Sequence, residues 1–343
     1  MYSSNLPSIS IIVPTKDKRG TLRNVLDSLT KLNYDKKKVE VIIVNGDRSG
    51  RVERIASEYR FNMVRDNATS LNTARNIGFR NATNDIIAFT DDDCVAPKDW
   101  VSKIAESFSD PSVGFVGGRV AGYGSEEILS EYVEETLVPM TARFGEKIVT
   151  RQIELFKFPA GCNMSFRREA LRNINLLDER ITYGFDDLES LERIVNAGYK
   201  LVLNPEVLIL HKHRTTLKEF LKQNFRYGRG GALFLLTKRK ESRLYRWIFN
   251  FLISVGLGFL ILSLPMIAAF ITGLPIFVYI ALGLLCLPWM VLMNLYRKRF
   301  KHTLNVKKLV LYPLIDILRG LSFVFGSVHQ LVLSSLLNQR IGT

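Results

Sequence analysis

Ile86-Ile-Ala-Phe-Thr-Asp-Asp-Asp93 runs from a short apolar stretch directly into three carboxylates, and this stretch decides the fold. An apolar run bounded by polar residues is typical of a strand buried on both faces. The same signal occurs at residues 8–14 and 39–45, and helical patterns at 21–32 and 71–80 separate the three predicted strands. Strands that alternate with helices predict an α/β domain built on a parallel sheet.

Polar residues follow each predicted strand at its carboxyl end. They are Thr15-Lys16 after the first strand, Asn45-Gly-Asp47 after the second and the Asp triplet after the third. Ligands of open α/β sheets bind at this edge. Because adjacent carboxylates repel one another, Asp91 and Asp93 predict a hard cation, Mg²⁺ or Mn²⁺, that bridges a diphosphate. The alternative is a solvated turn in which Asp93 only caps the segment that follows.

A second acidic group, Tyr183-Gly-Phe-Asp-Asp-Leu-Glu189, precedes a predicted helix that ends near Gly198. Asp186 and Asp187 fall at the helix N-terminus, where the helix dipole favours negative charge, so N-capping alone would explain them. The order along the chain is more informative. The acidic turn is followed by Gly161-Cys-Asn-Met-Ser165, then by this acid pair, and then by a basic amphipathic segment at 216–231.

The C-terminal third carries a membrane signal. Residues 247–296 are 50 consecutive residues without Asp, Glu, Lys, Arg or His, too long for one helix across a hydrocarbon core of about 30 Å. Gly273 and Pro275 predict a turn between two spans. Basic residues flank both ends of the hairpin while the turn has none, which predicts that both ends face the cytoplasm. A third apolar stretch, 309–337, contains Asp316 and Arg319; whether it spans or lies in the interface is left open.

Charge is distributed unevenly. Residues 1–214 carry 30 Lys or Arg and 30 Asp or Glu, whereas 215–343 carry 17 and 3, so the net charge of +14 belongs to the last part. These basic residues flank apolar runs and do not line a face with interleaved aromatics, so we expect no nucleic-acid partner. The three cysteines, at 94, 162 and 286, lack disulfide or metal spacing and indicate a reducing compartment.

In this order, the motifs resemble glycosyltransferase family 2. The resemblance implies a GT-A fold, that is, a Rossmann-like α/β nucleotide-sugar-binding domain, and inversion of configuration at the sugar's anomeric carbon. It extends over roughly residues 7–230. The matching segments are 11–15, 74–76, 89–93, 161–163, 186–187 and 223–227.

The resemblance also implies roles for single residues. Asp91 and Asp93 match the metal-binding DxD motif, and Asp187 matches the general base that deprotonates the acceptor hydroxyl. His211 follows the predicted strand at 207–210, where some family members place a residue near the diphosphate; it is either a further metal ligand or an ordinary surface histidine. The implied donor-binding residues are Pro14, Thr15, Lys16, Asn45, Asp47, Arg75 and Asp92, with Arg75 on the diphosphate. The implied acceptor-side residues are Gly161, Asn163, Asp186, Gln223, Arg226 and Tyr227.

Three departures from the family pattern limit these inferences. Val44-Asn-Gly-Asp-Arg-Ser49 replaces an aspartate pair that reads the nucleotide base, so uridine, guanosine and thymidine donors all remain open. Asp186 stands where the family more often has Glu. Gln223 to Tyr227 resembles the QxxRW motif of processive synthases with tyrosine for tryptophan, and anchoring to the membrane surface is its alternative interpretation.

The expected protein is a metal-dependent, multi-pass enzyme of the cell membrane with its catalytic domain in the cytoplasm. It would transfer a sugar from a nucleotide-sugar donor to a lipid-linked or glycan acceptor. The alternatives are a processive polysaccharide synthase, a polyprenyl-phosphate glycosyltransferase and a catalytically silent scaffold. The expected segments are the GT-A domain 1–214, a basic interfacial segment 215–246, a transmembrane hairpin 247–296, a basic cytoplasmic loop 297–308 and the third hydrophobic segment 309–337.

Overall fold

A computed structural model of the chain describes residues 6–67, 70–124, 127–140, 143–153, 159–238, 242–301 and 305–341, without the side chains of 255, 259, 262, 285 and 337–341. The chain folds as two units. The first comprises Met1–Ser125 and Val138–His213, and the second comprises Glu126–Leu137 and Arg214–Thr343. The second unit therefore takes a short segment from the middle of the first unit's sequence.

The first unit is built on one sheet. Its described strands are β1 Ile9–Thr15, β2 Val39–Asn45, β3 Asn62–Arg65, β4 Ile86–Phe89, β5 Cys94–Val95, β6 Val113–Gly122, β7 Ile148–Thr150, β8 Met164–Arg167 and β9 Lys200–His211. Their order in the sheet is β3-β2-β1-β4-β8-β6-β9-β5, and β7 also pairs with β9.

The α-helices of the described chain follow the same numbering. They are α1 Leu22–Thr30, α2 Arg51–Ala56, α3 Leu71–Asn81, α4 Trp100–Ser107, α5 Ile128–Glu135, α6 Arg168–Asn173, α7 Asp186–Asn196, α8 Leu217–Thr237, α9 Arg243–Thr272, α10 Pro275–Arg299 and α11 Val306–Ile341. Of these, α5 and α8 to α11 belong to the second unit.

The predicted α/β fold is confirmed, with one difference in the sheet. Strands β1 to β4 pair in parallel, as the alternation of strands and helices predicts. However, β8 runs antiparallel between β4 and β6. The reason is that β8 starts at the edge where β4 ends, with Met164 opposite Phe89, so the chain can only run back along the sheet.

The side chains of β1 face hydrophobic cores on both sides of the sheet. Ile11 and Val13 are buried with α1 on one face, while Ile12 is buried against α3 on the other. Gly78 allows this second contact, because a Cβ there would lie 2.3 Å from Ile12 Cγ2. Burial on both faces explains the continuous apolar sequence of the strand.

In the second unit, three described helices are long and apolar enough to cross a membrane. They are Arg243–Thr272, Pro275–Arg299 and Val306–Leu336. The predicted turn lies between the first two, where Gly273 adopts a left-handed φ of +67° and Pro275 begins α10. Membrane association of this unit follows. Of the basic residues before the hairpin, Arg239 and Lys240 lie outside the described part of the chain.

Helix α8, within the segment expected at the interface, packs against α11 with backbone contact. A Cβ at Gly228 would lie 1.8 Å from the carbonyl oxygen of Phe323, and one at Gly326 would lie 1.9 Å from that of Phe225. No side chain larger than hydrogen fits at either position. The two glycines thus determine how closely these helices approach.

Candidate active site

The acidic turn after β4 is tied to the loop after β1. Thr15 Oγ1 donates a hydrogen bond of 2.6 Å to Asp92 Oδ2, and the backbone N–H of Asp17 donates to the same oxygen over 3.2 Å. Desolvation raises the pKa of Asp92 to about 6 despite the bond from Thr15, and the charges of Asp93 and Asp91 add to the increase. The side chain of Asp92 therefore joins the first loop to the turn.

Each of the other two carboxylates in the turn pairs with an arginine. Asp91 Oδ1 lies 3.4 Å from Arg75 Nη2, and Asp93 Oδ2 lies 2.9 Å from Arg19 Nη1. Arg19 also donates to the backbone carbonyls of Lys212 and His213, over 2.6 and 3.0 Å. Each carboxylate of the DxD pattern is thus paired with a positively charged arginine.

The structure brings His211 to the same turn. Its Nε2 lies 3.2 Å from Asp93 Oδ1, and its Nδ1 lies 3.3 Å from Nδ1 of His213. Burial alone would lower the pKa of His211, but the hydrogen bond and the charge of Asp93 outweigh burial and raise it to about 9. The carboxylate of Asp93 therefore stabilises the protonated form of His211.

The donor set fits a divalent cation. Within the described residues, no three His, Cys, Asp or Glu side chains are already arranged to hold a metal ion. Mg²⁺ and ions like it are usually held by one or two carboxylates together with substrate phosphates, so a complete protein cage is not required. Asp91 and Asp93 offer carboxylate oxygens, which are paired with Arg75 and Arg19 in this structure. His211 is protonated beside Asp93, because its pKa is about 9, and would offer an imidazole nitrogen after losing that proton on metal binding.

Arg75 lies between the acidic turn and the second acid pair. It sits on α3, its side chain is 1% exposed, and its guanidinium lies over the ring of Phe89. Nη1 donates to Asp186 Oδ2 over 2.7 Å, and Nη2 donates to the carbonyl oxygen of Gly161 over 3.0 Å. Burial lowers the pKa of Arg75, but the surrounding carboxylates, Asp186 first, raise it more strongly.

Asp187 lies in the first turn of α7, directly after Asp186. Phe185, at the position before the helix, has a left-handed φ of +66°, which bends the chain sharply into the helix. Asp187 Oδ1 accepts a hydrogen bond of 2.8 Å from the N–H of Leu188. Desolvation and then the charge of Asp186 raise the pKa of Asp187 to about 7. A carboxylate with this pKa is suited to accept a proton near neutral pH.

Asn163, expected on the acceptor side, is an internal cross-brace. It is buried, its Nδ2 donates to the carbonyl oxygens of Arg119 and Val207, and its Oδ1 accepts from Trp100 Nε1. These bonds join three segments of the first unit and use both hydrogens of the side-chain amide. Gly161 is placed beside Arg75, where a Cβ would lie 3.0 Å from Nη2.

The loop after β2 is held by its own side chains. Asn45 Oδ1 accepts from the N–H of Asp47 over 2.8 Å, and Asp47 Oδ2 accepts from the N–H groups of Arg51 and Val52 at the start of α2. Hydrogen bonds to its carboxylate lower the pKa of Asp47 to about 2, and the bond from the Ser49 side chain contributes most. Asp47 therefore caps a helix in this structure.

The remaining predicted residues divide between the two units. Pro14 is buried in β1, and Lys16 is exposed beside Gly46, where a Cβ would lie 2.7 Å from Lys16 Cε. Gln223, Arg226 and Tyr227 lie on α8 of the second unit. Gln223 Nε2 donates to Tyr227 Oη over 2.9 Å, and Arg226 is exposed.

Two residues at this site, Arg19 and Asp17, were not predicted from the sequence. Arg19 binds Asp93, and the buried Asp17 accepts from the N–H of Leu22 with Oδ1 while its Oδ2 lies 2.9 Å from Arg51 Nε. Both belong to Lys16-Asp-Lys-Arg19, which has the composition of a solvated loop. The available signal was their position after β1, at the edge where the other polar residues meet.

Known proteins resemble this chain in sequence and in fold. The family model described as Glycosyl transferase family 2 matches residues 10–174. The Glycosyltransferase AglE of Haloferax volcanii is 27% identical over 259 residues, which are 72% of this chain and 81% of the relative. A Methanococcus voltae dolichyl N-acetyl-alpha-D-glucosaminyl phosphate 3-beta-D-2,3-diacetamido-2,3-dideoxy-beta-D-glucuronosyltransferase is 23% identical over 284 residues, 79% of this chain and 84% of the relative.

Solved structures also resemble the chain, and one of them matches most of it. It is the mannosyltransferase PcManGT from Pyrobaculum calidifontis in complex with GDP-Man and Mn2+, with a TM-score of 0.58 and 17% identity. The match covers 96% of this chain and 88% of that one. At this level of identity the likeness shows a shared fold, which is GT-A.

Proposed function

The chain belongs to glycosyl transferase family 2, and on that premise we propose that it is a membrane-bound, inverting glycosyltransferase that requires a divalent cation. It takes a sugar from a nucleotide-sugar donor and transfers it to a lipid-linked or glycan acceptor. The observation that carries this proposal is the Arg75 bridge, which places the acidic turn and the Asp186–Asp187 pair around one guanidinium.

On the donor side, Asp91, Asp93 and His211 are the residues that would hold the cation. When bound, the cation neutralises the charge that develops on the departing nucleoside diphosphate. Thr15 and Asp92 hold the loop after β1 against the acidic turn. Lys16 is exposed on the same loop and supplies a positive charge for a phosphate.

On the acceptor side, Asp187 is the general base. Its pKa of about 7 leaves a substantial fraction ionised at neutral pH and still able to take a proton. Inversion requires the acceptor oxygen to attack the anomeric carbon from the face opposite the leaving diphosphate. A base is needed for a hydroxyl nucleophile but not for a phosphate, which is already ionised. We therefore favour a hydroxyl acceptor.

The three apolar helices support an acceptor that resides in the bilayer, and the name of the Methanococcus voltae relative describes transfer to a dolichyl-linked sugar phosphate. A processive synthase is less well supported, because such enzymes thread their product through many spans. The basic residues on both sides of the α9–α10 hairpin support a cytoplasmic position for the catalytic unit.

The test uses the full chain in detergent or nanodiscs. It is incubated with UDP-glucose, GDP-mannose and dTDP-glucose in turn, with Mn²⁺ or with chelator, and release of the nucleoside diphosphate is measured. We expect release from one donor class, dependent on Mn²⁺ and increased by a lipid extract that contains the acceptor. Equal release in chelator would contradict the metal requirement. No release from any donor in an extended panel would favour the silent scaffold.

A further inference from the structure

Arg75 has contacts with three separate segments of the first unit. Its two terminal nitrogens reach Asp186 at the start of α7, the carbonyl oxygen of Gly161 before β8, and Asp91 in the turn after β4. Asp186, Gly161 and Asp91 are 111, 86 and 16 residues away from Arg75 along the chain. The planar, branched guanidinium spreads its donors over separate nitrogens in a fixed geometry, whereas a lysine ammonium has one nitrogen and is a compact point charge.

The burial of Arg75 argues against direct contact with a diphosphate. Its side chain is 1% exposed, its Nη atoms are already bonded, and its Nε is buried without a hydrogen-bond partner. An arginine that binds phosphate must present its donors to the ligand. In this structure every hydrogen bond from the two Nη atoms of Arg75 goes to a protein oxygen.

We propose that Arg75 is a positioning residue: it holds the cation-binding turn and the acceptor-side acid pair at a fixed spacing and does not bind the diphosphate. This inference rests on the proposed function, because the spacing matters only if donor and acceptor react there. Reacting groups must be held within fractions of an ångström for efficient transfer. Gly161 is part of the device, since a Cβ there would lie 3.0 Å from the guanidinium.

The charge of Arg75 gives a second, independent way to detect the positioning role. The positive charge of Arg75 lowers the pKa of Asp187, which desolvation and Asp186 raise. Removing that charge raises the pKa of Asp187 further. The acidic limb of the pH profile then moves to higher pH, an effect that a purely structural arginine at a distance would not produce.

The experiment compares Arg75→Lys and Arg75→Gln with the wild-type chain. Calorimetry measures the affinity for UDP, GDP and dTDP in the presence of Mn²⁺, and hydrolysis of the matching nucleotide sugar gives turnover between pH 5 and 9. We expect nucleotide affinity to remain within about threefold of wild type, whereas turnover at saturating donor falls by about 10- to 100-fold. In Arg75→Gln the acidic limb moves upward; in Arg75→Lys it moves less.

Arg80→Lys is the matched control. Arg80 lies on the same helix, is exposed, and lies 3.7 Å from Glu179, so its replacement should leave affinity, turnover and pH profile unchanged. If the Arg75 variants do not fold, Asp186→Asn tests the bridge from its other end and should lower turnover without loss of nucleotide affinity.

Two outcomes overturn the proposal. A loss of nucleotide affinity of about tenfold or more in Arg75→Lys, with turnover at saturation retained, would make Arg75 a diphosphate ligand. Unchanged turnover in a folded Arg75 variant, or in Asp186→Asn, would remove the positioning role. In both cases the wild type remains active and the proposed function stands. A wild-type chain that neither binds nor hydrolyses any of the donors overturns the proposed function and this inference together.

Discussion

At the scale of single residues, the surroundings of each aspartate determine its chemistry. Asp47 accepts several N–H and O–H donors, and its pKa falls to about 2, so it stays ionised as a helix cap. Asp187 is desolvated beside Asp186, and its pKa rises to about 7. Hydrogen bonds thus stabilise the anionic form of Asp47, whereas burial beside a second carboxylate makes Asp187 able to take up a proton near neutral pH.

The clearest single-residue prediction concerns the cation. Asp93→Ala should lower turnover by about 10²-fold or more, because it removes a proposed ligand of the cation, and the cation neutralises charge on the leaving diphosphate. Turnover and Mn²⁺ affinity are both measured. Asp110→Ala is the control, since Asp110 lies outside the acidic turn, is half-buried and pairs with Lys200. A variant with unchanged Mn²⁺ affinity would show that Asp93 is not a ligand.

The base role of Asp187 predicts a pH profile. Below a pH of about 7 the carboxylate is protonated and cannot accept a proton, so kcat/KM should fall about tenfold for each further pH unit. In Asp187→Asn this limb should disappear, and turnover with a hydroxyl acceptor should fall by about 10² to 10⁴. Nucleotide affinity should hardly change. Near wild-type turnover of the Asn variant with its natural acceptor would point to a phosphate nucleophile.

At the scale of elements, the buried amide of Asn163 joins structures that the sequence does not show to be neighbours. Its hydrogen bonds reach Trp100 on α4, Arg119 on β6 and Val207 on β9. The Gly-Cys-Asn motif matches the family pattern, but the structure shows what its asparagine does locally. It holds the strands behind the acidic turn in position.

Asn163→Ala therefore tests stability. It leaves the indole N–H of Trp100 and two buried carbonyl oxygens without their partner, which should cost about 2 to 4 kcal/mol of unfolding free energy. The midpoint of thermal unfolding in detergent should fall by several degrees. Asn173→Ala, whose exposed side chain bonds Tyr199, is the control. A midpoint equal to that of the control would mean that the cross-brace contributes little.

Elements also show where prediction from the sequence ends. The strands β1, β2 and β4 and the acidic turn after β4 were predictable, because a continuous apolar run followed by carboxylates depends only on local sequence. The antiparallel β8 and the contacts of α5 were not. Ile128–Glu135 has an ordinary amphipathic pattern, yet its Tyr132 and Glu135 bond to Asp316 and Lys308, more than 170 residues away. Local periodicity contains no information about such partners.

At the scale of the whole molecule, the surroundings of Asp316 show how an acidic residue is accommodated in the apolar helix α11. Its carboxylate accepts hydrogen bonds from the hydroxyls of Tyr132, Thr136 and Tyr296, within the second unit. An ionisable group in a membrane helix is costly unless such donors satisfy it. The segment Glu126–Leu137 therefore folds with the helices of the second unit, although the sequence on either side of it belongs to the first.

The orientation in the membrane is the last prediction, and it follows from charge. The α9–α10 hairpin has basic residues before Trp247 and after Tyr296 but none at its turn, so the turn should lie outside the cell and the catalytic unit inside. Cys286 is exposed and is first replaced by Ser, whereas Cys94 and Cys162 are buried and can stay. In this background Leu274→Cys, at the exposed position beside Gly273, should react with an impermeant maleimide on intact cells, and Lys301→Cys should react only after permeabilisation. The opposite pattern would place the nucleotide-sugar site on the outer side, where cytoplasmic donors cannot reach it, and the proposed reaction would then lack its donor.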